Sequence, residues 1–255
     1  MRRSWFSFVP VLVMILLVSV MWVHGPIAQP AHYHEFADAR VVWNIANAMD
    51  VLSNVGFLLV GVWALFALLP SLFRRSVNAV KVAYFLFAVS IFATAFASAY
   101  YHLAPDNARL FWDRLPIALA CASLLAAVRL DAVQSRWRAG CELALWMTAA
   151  WWSVWWWQST ADLRPYLALQ VMAIVLIPLW QYLNNAPASQ RSAFAWAIVL
   201  YVLAKVCELA DATILLHLVW VSGHSLKHVL SAIAAGVILW DVCSINRIEK
   251  RTAGV

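Results

Sequence analysis

Long apolar runs separated by short polar stretches dominate this chain. They lie near residues 5–23, 51–70, 80–101, 112–128, 142–157, 165–183, 193–209 and 218–241. A helix needs roughly 20 apolar residues to cross the hydrocarbon layer of a bilayer, and the pattern predicts eight such helices. The first run follows Arg2 and Arg3, which also suits a signal peptide. Its length of about 19 residues exceeds the usual h-region of about 7–15, and no clear A-x-A site follows it. The expected organisation is a retained anchor helix within residues 1–30, one transmembrane domain over residues 31–245, and a cytoplasmic tail over residues 246–255. No internal repeat interrupts it. The cluster Trp151, Trp152, Trp155, Trp156 and Trp157 reads as an interfacial aromatic belt.

Composition narrows the class. Hydrophobic residues make up 65% of the 255 and charged residues 12%, against about 45–50% and about 25% in soluble domains. The mean hydropathy of +0.77 agrees. These values exclude a soluble globular enzyme, a disordered chain and a disulfide scaffold, and they leave an all-α polytopic membrane helical bundle. The net charge of +6 would fit a nucleic-acid partner only if the basic residues formed a stripe. They fall instead in small groups between apolar runs, as topology charges do. Cys121, Cys141, Cys207 and Cys243 show no CxxC spacing and read as packing residues.

The same charges orient the bundle. With a cytoplasmic N-terminus, the cytoplasmic side carries twelve basic residues: Arg2, Arg3, Arg74, Arg75, Lys81, Arg129, Arg136, Arg138, Arg191, Arg247, Lys250 and Arg251. The other side carries four, Arg40, Arg109, Arg114 and Arg164. That excess satisfies the positive-inside rule and predicts both termini inside.

Ionisable residues within membrane helices are costly and are functional candidates by default. Three segments hold nearly all of them: the end of the third run (Ser98 to His102), the start of the fourth (Asp113, Arg114) and the start of the eighth (His224, Lys227, His228). The predicted topology brings all three to the non-cytoplasmic side. His224 and His228 are four apart and share a helix face. Such a pair can grip one metal ion, although no Glu between them makes the HExxH arrangement. His102 is the third candidate, and three imidazoles with an open position form a catalytic zinc site. Ser98 shares the face of His102, and Asp113 opens the next helix across a short loop. His24, His32 and His34 read as surface histidines and His217 as a bystander. The bare spacing also suits a bis-histidine haem site, a proton relay or a packed polar pair.

The series S-x-x-x-H, an Asp eleven residues later, and H-x-x-x-H in the last helix resembles the alkaline ceramidases, within the CREST superfamily of membrane hydrolases. The stretches "DVLSNVGFLLVG" (50–61), "SAYYHLAPDNARLFWDRLP" (98–116) and "SGHSLKH" (222–228) carry the likeness, which spans roughly residues 34–243. The resemblance implies a seven-helix core around zinc, with the first helix here as an addition. It implies His102, His224 and His228 as zinc ligands, Ser98 as an oxyanion donor and Asp113 as the proton-transfer group. It further implies hydrolysis of a ceramide-like N-acyl lipid, entering from the bilayer, to a fatty acid and a sphingoid-type amine. Eukaryotic members also hold calcium in an acidic N-terminal segment. This chain offers Glu35, Asp38 and Asp50 there, but also Arg40 and Asn47, so zinc is the expected ion and calcium the disfavoured one. The competing expectations are a receptor-like or sensory protein with a structural metal site, and a haem protein. If Asp113 is structural, Glu208 and Asp211 are the next proton carriers to consider.

Overall fold

The computed structural model describes residues 8–73, 78–133 and 135–252. The described residues are helices and loops without a strand, and only two isolated β-bridges join loop segments. In chain order the helices are α1 (Val9–His24), α2 (Ala48–Leu52), α3 (Val55–Leu72), α4 (Ala79–Leu103), α5 (Asn107–Leu130), α6 (Arg136–Thr160), α7 (Arg164–Leu183), α8 (Ala188–Leu209), α9 (Asp211–Leu218) and α10 (Gly223–Thr252). This is an all-α polytopic bundle. Arg2, Arg3, Arg74 and Arg75 of the charge count lie outside the described residues.

Among the described residues, six segments are long and apolar enough to cross a membrane: Ala48–Leu72, α4, α5, α7, α8 and residues Gly223–Ile245 of α10. Two of the eight expected spans fall short. Helix α1 is apolar but only 16 residues long as described. Helix α6 has the length, at 25 residues, but its first turns carry Arg136, Arg138 and Glu142 and its second half is rich in tryptophan, whose indole N–H keeps it only moderately apolar. Both nevertheless pack on the bundle, α1 against α7 and α6 against α5 and α7.

Small residues set the helix spacing, as expected where lipid offers apolar contacts as good as those of another helix. Helix α5 buries Ala118, Ala120, Ala122, Ala126 and Ala127 and touches α4, α6 and α7. Gly61 of α3 lies against the backbone of Phe92 in α4, where an added Cβ would come within 2.6 Å of its Cα. Gly56 approaches Ala232 of α10 in the same way, at 3.0 Å.

Helix starts are fixed by side-chain caps that satisfy otherwise orphaned N–H groups. Asn78 accepts from Lys81 N at 3.0 Å and Asp106 from Arg109 N at 2.7 Å. At α10, Ser222 Oγ accepts from Ser225 N at 3.0 Å, and Asp211 Oδ1 accepts from His224 N at 2.7 Å. The apolar run predicted as continuous from 218 is interrupted here. Val219 has a positive φ of 63°, and α10 begins only at Gly223, flush against the Cys207 carbonyl of α8.

The loop over residues 25–47 folds across one end of the bundle. Ile27 O accepts from Leu163 N at 2.8 Å, Ala37 N donates to Asp211 Oδ2 at 3.0 Å, and Arg40 donates to Val219 O and Trp220 O at 3.0 Å each. Asn47, in the left-handed conformation that Asn tolerates, donates from Nδ2 to His102 O at 2.8 Å. Two carboxylates pin this loop. The Arg40 guanidinium holds the Asp38 carboxyl below the ordinary carboxylate range. Burial alone would raise Asp162, but the N–H groups of Arg164 and Ile27, the Arg164 guanidinium and the Trp156 indole outweigh it and lower it.

Candidate metal site and adjoining cavity

The end covered by the loop is the end where the predicted site residues meet. His102 comes from the last turn of α4, Asp113 from the second turn of α5, and His224 and His228 from the first two turns of α10. All three histidines are buried, and one ring nitrogen from each lies within 4.8 Å of the others. They form a group that can hold a metal ion. His102 Nε2 and His224 Nε2 face each other at 3.3 Å. Two nitrogens bound to one zinc at about 2.0–2.1 Å in a tetrahedral arrangement would be about 3.4 Å apart, so the spacing of this pair is compatible with a shared metal ion.

The surroundings orient these rings. Ser53 Oγ lies 2.8 Å from His228 Nδ1, which leaves Nε2 as its free nitrogen. Asp50 is fully buried and accepts from Ser222 Oγ at 3.1 Å and Ser225 Oγ at 2.6 Å, fixing the turn of α10 that carries His224. The Phe36 ring covers the cluster from the loop, with centroids 4.6 Å from both His102 and His224.

One neighbour competes with a metal. Lys227 Nζ approaches His224 Nε2 at 2.8 Å. An ammonium donor and a metal ion would use the same lone pair. Lys227 has a second partner, Glu208 Oε1 at 2.9 Å, whose other oxygen binds Lys205 Nζ at 2.7 Å. Keeping only the Glu208 contact would free His224, so the donor set fits a metal with that one rearrangement.

Ser98 and Asp113 join the cluster through a cavity of about 450 Å³, within the roughly 300–1,000 Å³ of ligand pockets. Ser98, Asp113, Lys227 and His228 line one part of it, and apolar residues such as Phe87, Ile174, Phe194 and Ile238 line much of the rest. Ser98 faces the Asp113 carboxyl, and Asp113 Oδ1 is buried with no hydrogen-bond partner. All five predicted site residues are therefore at one end of the bundle.

The histidines outside the cluster divide. His34 is half-buried, with Nδ1 3.0 Å from Tyr101 Oη and Nε2 3.0 Å from Asn107 Oδ1; it ties the loop to α4 and α5. His32, by contrast, is exposed beside Glu35, and His217 is exposed on α9. Arg114, counted among the topology charges, is not at the surface: it is 3% exposed, with its guanidinium over Trp157 at 3.9 Å. Trp157 accordingly points inward, while Trp151, Trp152 and Trp155 stay exposed as a belt would. Glu35 pairs with His32, Asp38 with Arg40, and Asp50 through Oδ1 with the two serines, its Oδ2 buried without a hydrogen-bond partner. Glu208 is held by two lysines, and Asp211 by backbone N–H groups on two segments. Phe36, Ser53 and Asn47 are neighbours of the site that sequence reasoning did not place there, whereas Lys227, a cation inside an apolar run, was among the candidates.

No protein-family model and no curated protein matches the chain.

Proposed function

We propose that this protein is a zinc-dependent intramembrane amide hydrolase that cleaves N-acyl lipids of the ceramide type into a fatty acid and an amine. The observation that carries the reading is the shared cavity. His228, Ser98 and Asp113, whose Oδ1 has no hydrogen-bond partner, open onto one largely apolar space. A lipid amide could place its carbonyl there while its chain stays against apolar walls. His102, His224 and His228 would hold the zinc, which when bound supplies Lewis-acid activation of water and carbonyl. Asp113 takes a proton from the attacking water at Oδ1 and returns it to the leaving amine. Ser98 donates its hydroxyl hydrogen to the developing oxyanion. Phe36 and the loop over residues 25–47 shield the polar cluster from bulk water.

The approach of Lys227 to His224 favours a second reading, in which the buried histidines and the half-buried Lys227 form a polar network within a receptor-like or sensory membrane protein. Metal analysis of protein purified in neutral detergent, paired with an assay of long-chain amide hydrolysis, separates the two. Stoichiometric zinc with turnover supports the hydrolase. Zinc-free folded protein without turnover overturns it.

A further inference from the structure

Arg114 lines the cavity and has no part in the proposed chemistry. Its guanidinium lies among three rings, 3.9 Å from the Trp157 centroid, 5.0 Å from Tyr33 and 5.4 Å from Tyr166. Ring faces satisfy a guanidinium only through its π surface. Its five N–H donors lie in the guanidinium plane and require acceptors. Nε and Nη1 are buried and have none among the described residues. A buried cation without a hydrogen-bonded acceptor is costly. The other cations of the cavity differ, since Lys205 and Lys227 share Glu208. Asp113 is adjacent and within electrostatic reach, but its buried Oδ1 accepts no hydrogen bond, so Arg114 donates none to that oxygen.

We infer that Arg114 is the receiving site for an anionic oxygen group, a carboxylate or a phosphate, carried by an amphiphile in the cavity. Each unpartnered N–H can make a charge-assisted hydrogen bond to such a group, and the aromatic cage fixes the plane in which these donors are presented. The apolar walls beyond it accept the chain. Joined to the hydrolase reading, on which this part rests, the site narrows the ceramide-type lipids to those bearing an anionic group near the amide, such as a phosphorylated headgroup, in preference to neutral ceramide.

The test reads binding without turnover, on purified full-length protein in neutral detergent, by calorimetry. The probes are dodecyl phosphate, dodecanoate, neutral dodecanol and inorganic phosphate. Wild-type protein should bind the two anionic amphiphiles at least about tenfold more tightly than dodecanol, the scale of one charge-assisted hydrogen bond. Arg114→Gln should abolish that preference, and Arg114→Lys should weaken it by removing the planar fork. Equal binding of anionic and neutral amphiphiles by the wild type overturns the inference, whether or not the variants fold. So does an undiminished preference in folded Arg114→Gln, and so does inorganic phosphate binding as tightly as dodecyl phosphate. Absence of zinc or of hydrolysis would sink the hydrolase reading and leave this binding result standing.

Discussion

At the residue scale, the three histidines arrive from two helices and share one small volume, so no pair of them is a complete site. Replacing His102, His224 or His228 by Ala should each remove stoichiometric metal, measured by elemental analysis of purified protein. His32→Ala should not, because that ring is exposed beside Glu35. Full metal content in His102→Ala would refute the three-ligand arrangement. Asp113 is separable from the metal question. It sits in the second turn of a helix already capped by Asp106, so a capping role does not explain it. Asp113→Asn preserves shape but cannot accept the proton. The variant should keep its metal and its fold and lose at least about 100-fold in amide hydrolysis, within the range of general acid–base groups. Near-normal turnover would make the carboxylate structural.

At the scale of elements, the start of α10 decides whether the site forms. Gly223 has no room for a Cβ, because the Cys207 carbonyl and Asp211 Cα of the preceding segment occupy that space. Gly223→Ala should push the first turn outward, carrying His224 with it. Overpacking of this kind typically costs about 1–3 kcal/mol. A lowered Tm with weakened metal binding is expected, and an unchanged Tm with full metal would show that the helix can shift at no cost. The covering loop makes a second prediction. The carboxyl groups of Asp38 and Asp162 are both lowered by their donors in the folded protein. A lowered carboxyl stabilises fully above its unfolded value of about 3.9, and that contribution is lost as pH falls through the folded value. The loop should therefore resist proteolysis equally at pH 7 and pH 5 and become cleavable below about pH 4. Asp38→Asn should make it cleavable at neutral pH. Opening between pH 7 and pH 5 would show that other groups hold the loop.

At the scale of the whole molecule, the C-terminal end of α1 and the N-terminal end of α10 both lie at the site end. Arg164 reaches Trp22 O at the first, and Asp211 caps the second. Both helices run away from the site toward the chain termini. The excess of Lys and Arg at the opposite end predicts that the site faces the non-cytoplasmic side. In a cysteine-free background, a cysteine replacing exposed Ala31 in the covering loop should label from outside intact cells. One replacing exposed Ala132, in the turn between α5 and α6, should be protected. The reverse pattern would turn the bundle over.

The sequence by itself determined the class of the molecule and the membership of its polar centre. Long apolar runs can only be buried as helices in lipid or in a bundle core, and ionisable residues in such runs must gather because none is tolerated alone against hydrocarbon. That is why His102, Ser98, Asp113, His224 and His228 could be grouped from spacing and topology. The tertiary structure decided which neighbours complete the group. Asn47 holding the His102 carbonyl, Ser53 orienting His228 and Phe36 capping the rings all come from segments distant in sequence or lying outside the apolar runs. No local pattern encodes those approaches. The fate of Arg114 was decided the same way. Beside Asp113 in the chain it looks like an exposed partner, but the rings of Tyr33, Trp157 and Tyr166, from a loop and two other helices, close around it. Burial is a property of everything that packs on a residue, and for this one the packing partners are more than 40 positions away along the chain on either side.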